Sequence, residues 1–462
     1  MKPREIIVFT ALLLFILLPN ILVVCMADDV ATPSLRTYYV VQSLAFYGVG
    51  LFLFHRRAFL YLSSLGFPLS AFELFHLFTR GRTVTRLYLY TWLKTSPEDL
   101  QALYQPYLWL FGLGIVVWIL FYVLAHYFVE REYILPFKWR LPIASLMAAT
   151  FLALPLNVCP QNTIHRLSTL AQGALHVERT QPQRSNFSYG ITPNASKADE
   201  TMIVVVGETS YQQWQSLNYK DSLAIDFSSV YAKSPVAGVA MPLLFSRATP
   251  DMVQPFYRER SVIKAFAEAG FYTAWLSDYG YHDHFLMRLA DDCRYLSYQP
   301  NQPDTALLEP FREVMRRPEQ RHMVVLVTQG GRDSASLAQV PYLLRQLTDS
   351  LRTTHQPAMM VYVGSPAIRL GGKTPLDLHV PMMVWANPNY RYRHRAMIRT
   401  MQAQRTMPMS TASLYHSLLY WNNISCEQRI DSLAIGCQQF EAADSIRYLD
   451  ENLQAVTLAV SH

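Results

Sequence analysis

Apolar residues follow two patterns along the chain. Over the first third they form long runs, at roughly residues 5–26, 38–54, 58–78, 107–128 and 141–158. Each run is near the ~17–25 residues that a helix needs to cross a bilayer. From residue 200 onward they form short blocks. Those at 202–206, 271–276, 322–328, 358–363 and 380–386 read as buried strands, and they alternate with stretches of helical period at 259–269, 304–316, 338–353 and 411–421. That alternation predicts an α/β domain, a mostly parallel sheet with helices on both faces. Residues 159–199 are rich in Gln, Asn, Ser, Thr and Pro and predict a linker with one short amphipathic helix near 163–176. The expected organisation is a transmembrane domain over 1–158, a linker over 159–199 and a soluble domain over 200–462.

The first run is too long for the apolar core of a signal peptide, and no small-x-small site precedes Asp28, so it reads as a span. Lys2 and Arg4, then Arg56 and Arg57, then Arg131, Lys138 and Arg140 mark the cytoplasmic turns. About five spans then place residue 160 onward on the far side. Arg80, Arg82, Arg86 and Lys94 oppose this rule. They border a segment, 85–105, that mixes Tyr, Trp and Leu with charge as an interfacial helix does. It reads either as a surface connector or as a lipid-headgroup contact. Glu73 and His76, one turn apart at the outer end of the third run, read as interfacial snorkelling groups, with a substrate-facing role as the alternative.

Composition changes this picture little. A chain of 462 residues suggests two or three domains. The formal net charge of +6 suits contact with anionic headgroups. No basic cluster interleaved with aromatics stands out in the soluble part, so nucleic-acid binding is not expected. Five cysteines without a CxxC pair exclude a zinc ribbon or a thioredoxin-type motif. Cys426 and Cys437 bracket a short segment and are the expected disulfide if that segment faces an oxidising compartment.

The chemistry is concentrated at strand ends. The block 202–206 delivers Gly207-Glu208-Thr209-Ser210 to its C-terminal end, where an open α/β sheet builds its site. Ser216-Leu217-Asn218-Tyr219, Met241-Pro242-Leu243-Leu244-Phe245-Ser246 and Ala269-Gly270-Phe271-Tyr272-Thr273-Ala274-Trp275 follow. Val324-Val325-Leu326, Val361-Tyr362-Val363 and His379-Val380-Pro381-Met382 complete the order. In this order and spacing the chain resembles the lipid A phosphoethanolamine transferases, membrane-anchored members of the sulfatase and alkaline-phosphatase superfamily. The resemblance implies about five transmembrane helices followed by a sulfatase-like domain, in a Gram-negative inner membrane with that domain in the periplasm. It also implies phosphatidylethanolamine and lipid A as lipid partners. The implied reaction passes a phosphoryl group to a Thr side chain and on to a sugar phosphate, with zinc activating the nucleophile.

Residue by residue the chain then departs from that family. Glu208 stands at the first metal carboxylate, but Ala237 stands at the nucleophile position, and the nearest upstream hydroxyl is Ser234. The family's Gly-x-His reads Gly330-Gly331-Arg332, and its Asp-His pair reads Ser365-Pro366. His379 alone remains where the family keeps a histidine. Glu208 and His379 fall short of the three protein ligands of a catalytic zinc site. The expectation is a catalytically impaired member that binds an anionic lipid or a partner protein, with Arg332 and Arg369 pairing with phosphate in place of a metal. The alternative is an active transferase with Ser234 as displaced nucleophile, zinc as cofactor and a metal site drawing on Asp278, His282, Asp283 and His284. Those four residues read otherwise as a solvated helix start, Glu208 as a cap of the following helix through Thr209 and Ser210, and His379 as a structural histidine.

Overall fold

The structure is a computed structural model that describes residues 3–27, 30, 32–94, 97–153, 161–192, 200–235, 237–278, 288–300, 302–317, 321–365, 378–450 and 452–459. It divides into two compact units, one built on Met1–Ala174 and the other on Leu175–Ile368 and Pro375–His462.

The first unit is helical: α1 (Pro3–Met26), α2 (Pro33–Leu53), α3 (Arg56–Ser64), α4 (Phe67–Arg80), α5 (Arg86–Lys94), α6 (Pro97–Tyr104), α7 (Leu108–Phe128), α8 (Phe137–Leu152) and the start of α9 (Gln161–Ser185). Helices therefore fall in all five apolar runs, the last described as far as Leu152. Among the described residues two are long and apolar enough to cross a membrane, Pro3–Met26 and Gln105–Phe128, and α3 with α4 makes a third if that pair, bent by 52°, is one span. The bend has a local cause. Pro68 lies in the first turn of α4, where its missing N–H is harmless, but a helix continued from α3 would clash there.

Three buried charged or titratable side chains of this unit, Arg56, Glu73 and His76, are paired. Arg56 donates from Nη1 to Glu5 Oε1 at 2.6 Å and from Nη2 to Glu132 Oε2 at 2.5 Å, joining α1, α3 and the turn after α7. Glu73 and His76 do not snorkel: they are 2% and 1% exposed. Glu73 Oε1 accepts from the backbone N–H and the hydroxyl of Thr163, and His76 Nε2 donates to Thr83 O at 2.9 Å. The apolar setting is what forces this pairing, because a buried polar group without a partner is costly.

The second unit is built on β1 (Thr201–Gly207), β2 (Ala224–Phe227), β3 (Val230–Tyr231), β4 (Tyr272–Ser277), β5 (Tyr295–Tyr298), β6 (His322–Val327), β7 (Ala358–Gly364), β8 (Met382–Ala386), β9 (Met409–Ser410), β10 (Ser445–Leu449) and β11 (Ala455–Ala459). Seven of these form one sheet in the order β2-β8-β7-β1-β6-β4-β5. β7, β1, β6, β4 and β5 run parallel, whereas β8 is antiparallel to β7 and β2 to β8. All seven residues of β1 are buried. Ile203 and Val205 enter one core, and Met202, Val204 and Val206 enter the other. This alternation is what a strand covered by helices on both faces requires.

The end of α9 is tied into this unit by Asp292. Its carboxylate accepts from Arg260 Nη1 (2.7 Å), Arg184 Nη2 (3.4 Å), and the N–H and hydroxyl of Ser261 (3.0 and 2.7 Å). Cys426 and Cys437, expected to pair, are free thiols here, Cys426 half-buried and Cys437 buried. Cys437 is fixed by backbone bonds instead: its N–H donates to Ala434 O, and its carbonyl accepts from Gln404 Nε2 at 2.8 Å.

Candidate functional site

The parallel register brings four strand ends to one edge. Val206 pairs with Val327, Gly207 with Gly364, and Ser277 with Val327, so Glu208, Asp278, Thr328 and Ser365 leave the sheet side by side. This is the edge where an open α/β fold places ligands.

Backbone packing closes much of that edge. Thr209 is fully buried. Its hydroxyl donates to Gly330 O at 2.7 Å and accepts from Tyr362 OH at 2.5 Å. Tyr362 in turn stacks on Trp214, with ring centroids 4.9 Å apart. Helix α10 (Tyr211–Leu217) is capped by Ser210 through a capping box with Gln213, so the cap expected of Glu208 falls to Ser210 alone. Gln213 Nε2 also donates to Gly331 O at 2.9 Å. Gly331 has φ +94°, and a Cβ there would lie 2.5 Å from Glu208 O. At Gly364 a Cβ would lie 2.4 Å from Thr209 O. Both loops therefore press on residues 208 and 209 through bare backbone, which only glycine permits.

Beside this packing lies a carboxyl pair that sequence reasoning missed. Asp278, assigned above to a solvated helix start, is 1% exposed, and Asp304 is 2% exposed. The N–H of Gln329 donates to Asp278 Oδ2 at 2.7 Å and to Asp304 Oδ1 at 3.2 Å. Burial, the hydrogen bond with Asp304 and its charge push the Asp278 carboxyl up to about 9, with the nearby charge of Glu208 adding to the shift. Two buried acids coupled in this way share protons as a pair rather than titrating singly. Burial raises the Asp304 carboxyl as well, while the bond with Asp278 and the N–H groups of Gln329 and Gly330 act to lower it. The sequence signal was slight, since an aspartate opening a helical stretch is an ordinary helix start.

The other candidate residues are separately engaged. The His379 ring donates from Nε2 to Ser228 O at 2.9 Å and is stacked between Tyr211 and Tyr231, at centroid distances of 3.9 and 5.2 Å. Ser234 is fully buried. Next to it, Lys233 is buried too and donates to Leu243 O and Ala248 O, each at 2.7 Å. Burial lowers its ammonium to about 7. Ala237 opens helix α11 (Ala237–Leu244). Arg332 is exposed in the turn before the helix Ser334–Thr353, which Asp333 caps. Arg369, His282, Asp283 and His284 lie outside the described residues. A catalytic zinc needs three protein ligands and an open position. Among the described residues no three His, Cys, Asp or Glu side chains are grouped to hold a metal.

One expectation is corrected outright. A basic cluster interleaved with aromatics does exist in the second unit, at Tyr390-Arg391-Tyr392-Arg393-His394-Arg395. It was missed because it follows directly on the apolar block of β8 and reads there as an ordinary strand-to-helix turn.

No protein-family model matches the chain, and no curated protein matches it. Solved structures do. The integral-membrane lipooligosaccharide phosphoethanolamine transferase A of Neisseria meningitidis is 15% identical, with a TM-score of 0.66 over 88% of this chain and 92% of that one. The C-terminal periplasmic domain of EptC from Escherichia coli is 13% identical, with a TM-score of 0.50 over 58% of this chain and 95% of that one. A zinc complex of the same domain has a TM-score of 0.48 at 13% identity, over 55% of this chain and 91% of that one. The likeness extends through both units of the chain. The chain has the fold of that integral-membrane transferase, apolar N-terminal helices followed by an α/β domain built on a mostly parallel sheet.

Proposed function

We propose that the chain is an inner-membrane protein of a Gram-negative envelope whose sulfatase-like domain faces the periplasm and binds an anionic lipid headgroup or a protein partner without transferring phosphoethanolamine. One observation carries this reading. At the edge where the fold places its chemistry, the hydroxyl of Thr209 is engaged with Gly330 O and Tyr362 OH, and Asp278 Oδ2 and Asp304 Oδ1 accept from the N–H of Gln329. Ala237 at the nucleophile position supports it, because a methyl group cannot attack phosphorus. In this reading Arg332 and Arg369 supply the anion contacts, and phosphatidylethanolamine and lipid A are the lipids that the fold suggests.

The test compares lipid A mass spectra from cells with and without the full chain. The expected result is no added phosphoethanolamine, and its appearance only with the chain present, abolished by Ser234→Ala, would instead establish an active transferase with a displaced nucleophile. A companion measurement follows headgroup binding by the detergent-solubilised chain. Arg332→Ala combined with Arg369→Ala is expected to weaken binding about tenfold, the scale of one charge-assisted contact pair. Unchanged binding would remove the arginines from the account.

A further inference from the structure

Between Asp377 and Glu427 the chain has no acidic residue, yet this stretch carries Arg391, Arg393, Arg395, Arg399 and Arg405 and no lysine. Those five charges are all but one of the chain's formal excess of +6. They are gathered at one place in the fold. Ala386, the last residue of β8, pairs with Met359 near the start of β7, so the helices Pro388–Arg393 and Arg395–Gln404 leave the sheet at the edge opposite Glu208. Glu200, just before β1, marks the same edge and accepts from His394 Nε2 at 3.0 Å and Arg393 Nη1 at 3.4 Å. Arg391 Nη1 donates to Leu223 O at 3.1 Å.

Three arginines are then left over. Arg395, Arg399 and Arg405 are exposed, and none has a carboxylate partner among the described residues. Ile398, Met401 and Gln404 bury the opposite face of their helix, which fixes that face to the core. Arg395 and Arg399 lie one turn apart, where like charges repel and weaken a helix. Tyr392 is 79% exposed, with the Arg395 guanidinium 5.8 Å from its ring centroid. Flanking the same helix is a cavity of about 320 Å³ whose lining includes Ala396, Met397, Thr400, Tyr420, Gly436 and Asp431, the last paired with Arg429 at 2.7 Å.

We propose that this face docks an acidic segment of a partner protein. Its carboxylates would pair with Arg395 and Arg399, and one of its apolar or aromatic side chains would enter the cavity. A guanidinium matches a carboxylate bidentately, and Arg and Tyr are the residues enriched where proteins meet. The cavity decides between polyanions: Asp431 in its lining repels phosphate, whereas an uncharged peptide side chain can pack against Ala396, Met397 and Tyr420. The face lies at the sheet edge away from the carboxyl pair, so it acts independently of whether that edge is catalytic.

The test uses the full chain in detergent micelles and two fluorescein-labelled peptides, one of Glu-Glu-Leu repeats and one of Glu alone, followed by anisotropy. Both peptides are expected to bind at low salt, the Leu-bearing one more tightly, and to weaken as salt rises. Arg395→Glu with Arg399→Glu is expected to weaken both about tenfold or more, because it sets repulsion where attraction stood. Thr400→Trp, which fills the cavity, is expected to weaken the Leu-bearing peptide and leave the all-Glu peptide unchanged. Arg395 and Arg399 are exposed and Thr400 is half-buried, and circular dichroism checks that the variants keep their fold. No binding at low salt would overturn the proposal, as would binding indifferent to the charge reversal. Inorganic polyphosphate that binds more tightly than either peptide, with no effect of Thr400→Trp, would make this a phosphate-polymer surface instead.

Discussion

Asp292→Ala is expected to destabilise the second unit by about 3–5 kcal/mol, the usual cost of removing one partner from a buried ion pair. The carboxylate is fully buried and joins Arg184, which is 2% exposed, to Arg260 and Ser261. Without it the Arg184 guanidinium stays in the interior with only the carbonyls of Glu259 and Arg288 as acceptors. Asp292→Asn keeps the shape and one good acceptor and is expected to cost less, since the loss is mainly of charge. Unfolding of the full chain in detergent, followed by the fluorescence of buried Trp275, Trp385 and Trp421, reads both values. A loss for Asp292→Ala below about 1 kcal/mol, within the range of exposed ion pairs, would show that the hub is not what fastens the end of α9.

The second large effect depends on pH. The folded-state pKa of Asp278 lies near 9, above its ordinary value of 3.8. Its contribution to stability is therefore complete below about pH 4 and is lost progressively as pH rises through 9. Each unit in that window corresponds to about 1.4 kcal/mol. Asp278→Asn keeps a donor towards Asp304 and no longer titrates. Relative to the parent chain it should gain roughly 3 kcal/mol of stability between pH 6 and pH 8. Lys233 works in the opposite direction. Its folded pKa is lowered from 10.5 to about 7, so the cost of burying its charge is full below pH 7 and is relieved as pH rises towards 10.5. Where the two windows overlap the groups act against each other, so the parent chain should depend on pH less steeply there than Asp278→Asn does. Parallel stability curves for parent and variant across pH 5–9 would mean that Asp278 and Asp304 do not share a proton.

The fold was legible where residues repeat a period and illegible where backbone alone decides. All five predicted strands exist, because blocks such as 202–206 and 358–363 are long enough and apolar enough to be buried on both faces. The sheet's two edge strands were missed. β2 has only Ile225 and Phe227 buried and β5 has no buried residue, so neither shows an apolar block. The site was half legible. Glu208 could be placed at a strand end from its position just after the apolar block 202–206. The partnership of Asp278 with Asp304 could not, because it is made by two strand-end loops meeting over Gln329 rather than by any local spacing. Glu73 and His76 were misread for a similar reason: their partners, Thr163 and Thr83, come from other segments. The cluster at 390–395 was within reach, and the discriminating sign was the absence of any acid from Asp377 to Glu427.

Metal analysis of the full chain, purified in detergent, saturated with zinc and then exchanged into metal-free buffer, bears most directly on whether this edge still performs transferase chemistry. Well under one zinc per chain, and no phosphoryl adduct after incubation with phosphatidylethanolamine, is the expected result. One tightly held zinc per chain together with a phosphorylated hydroxyl would contradict it.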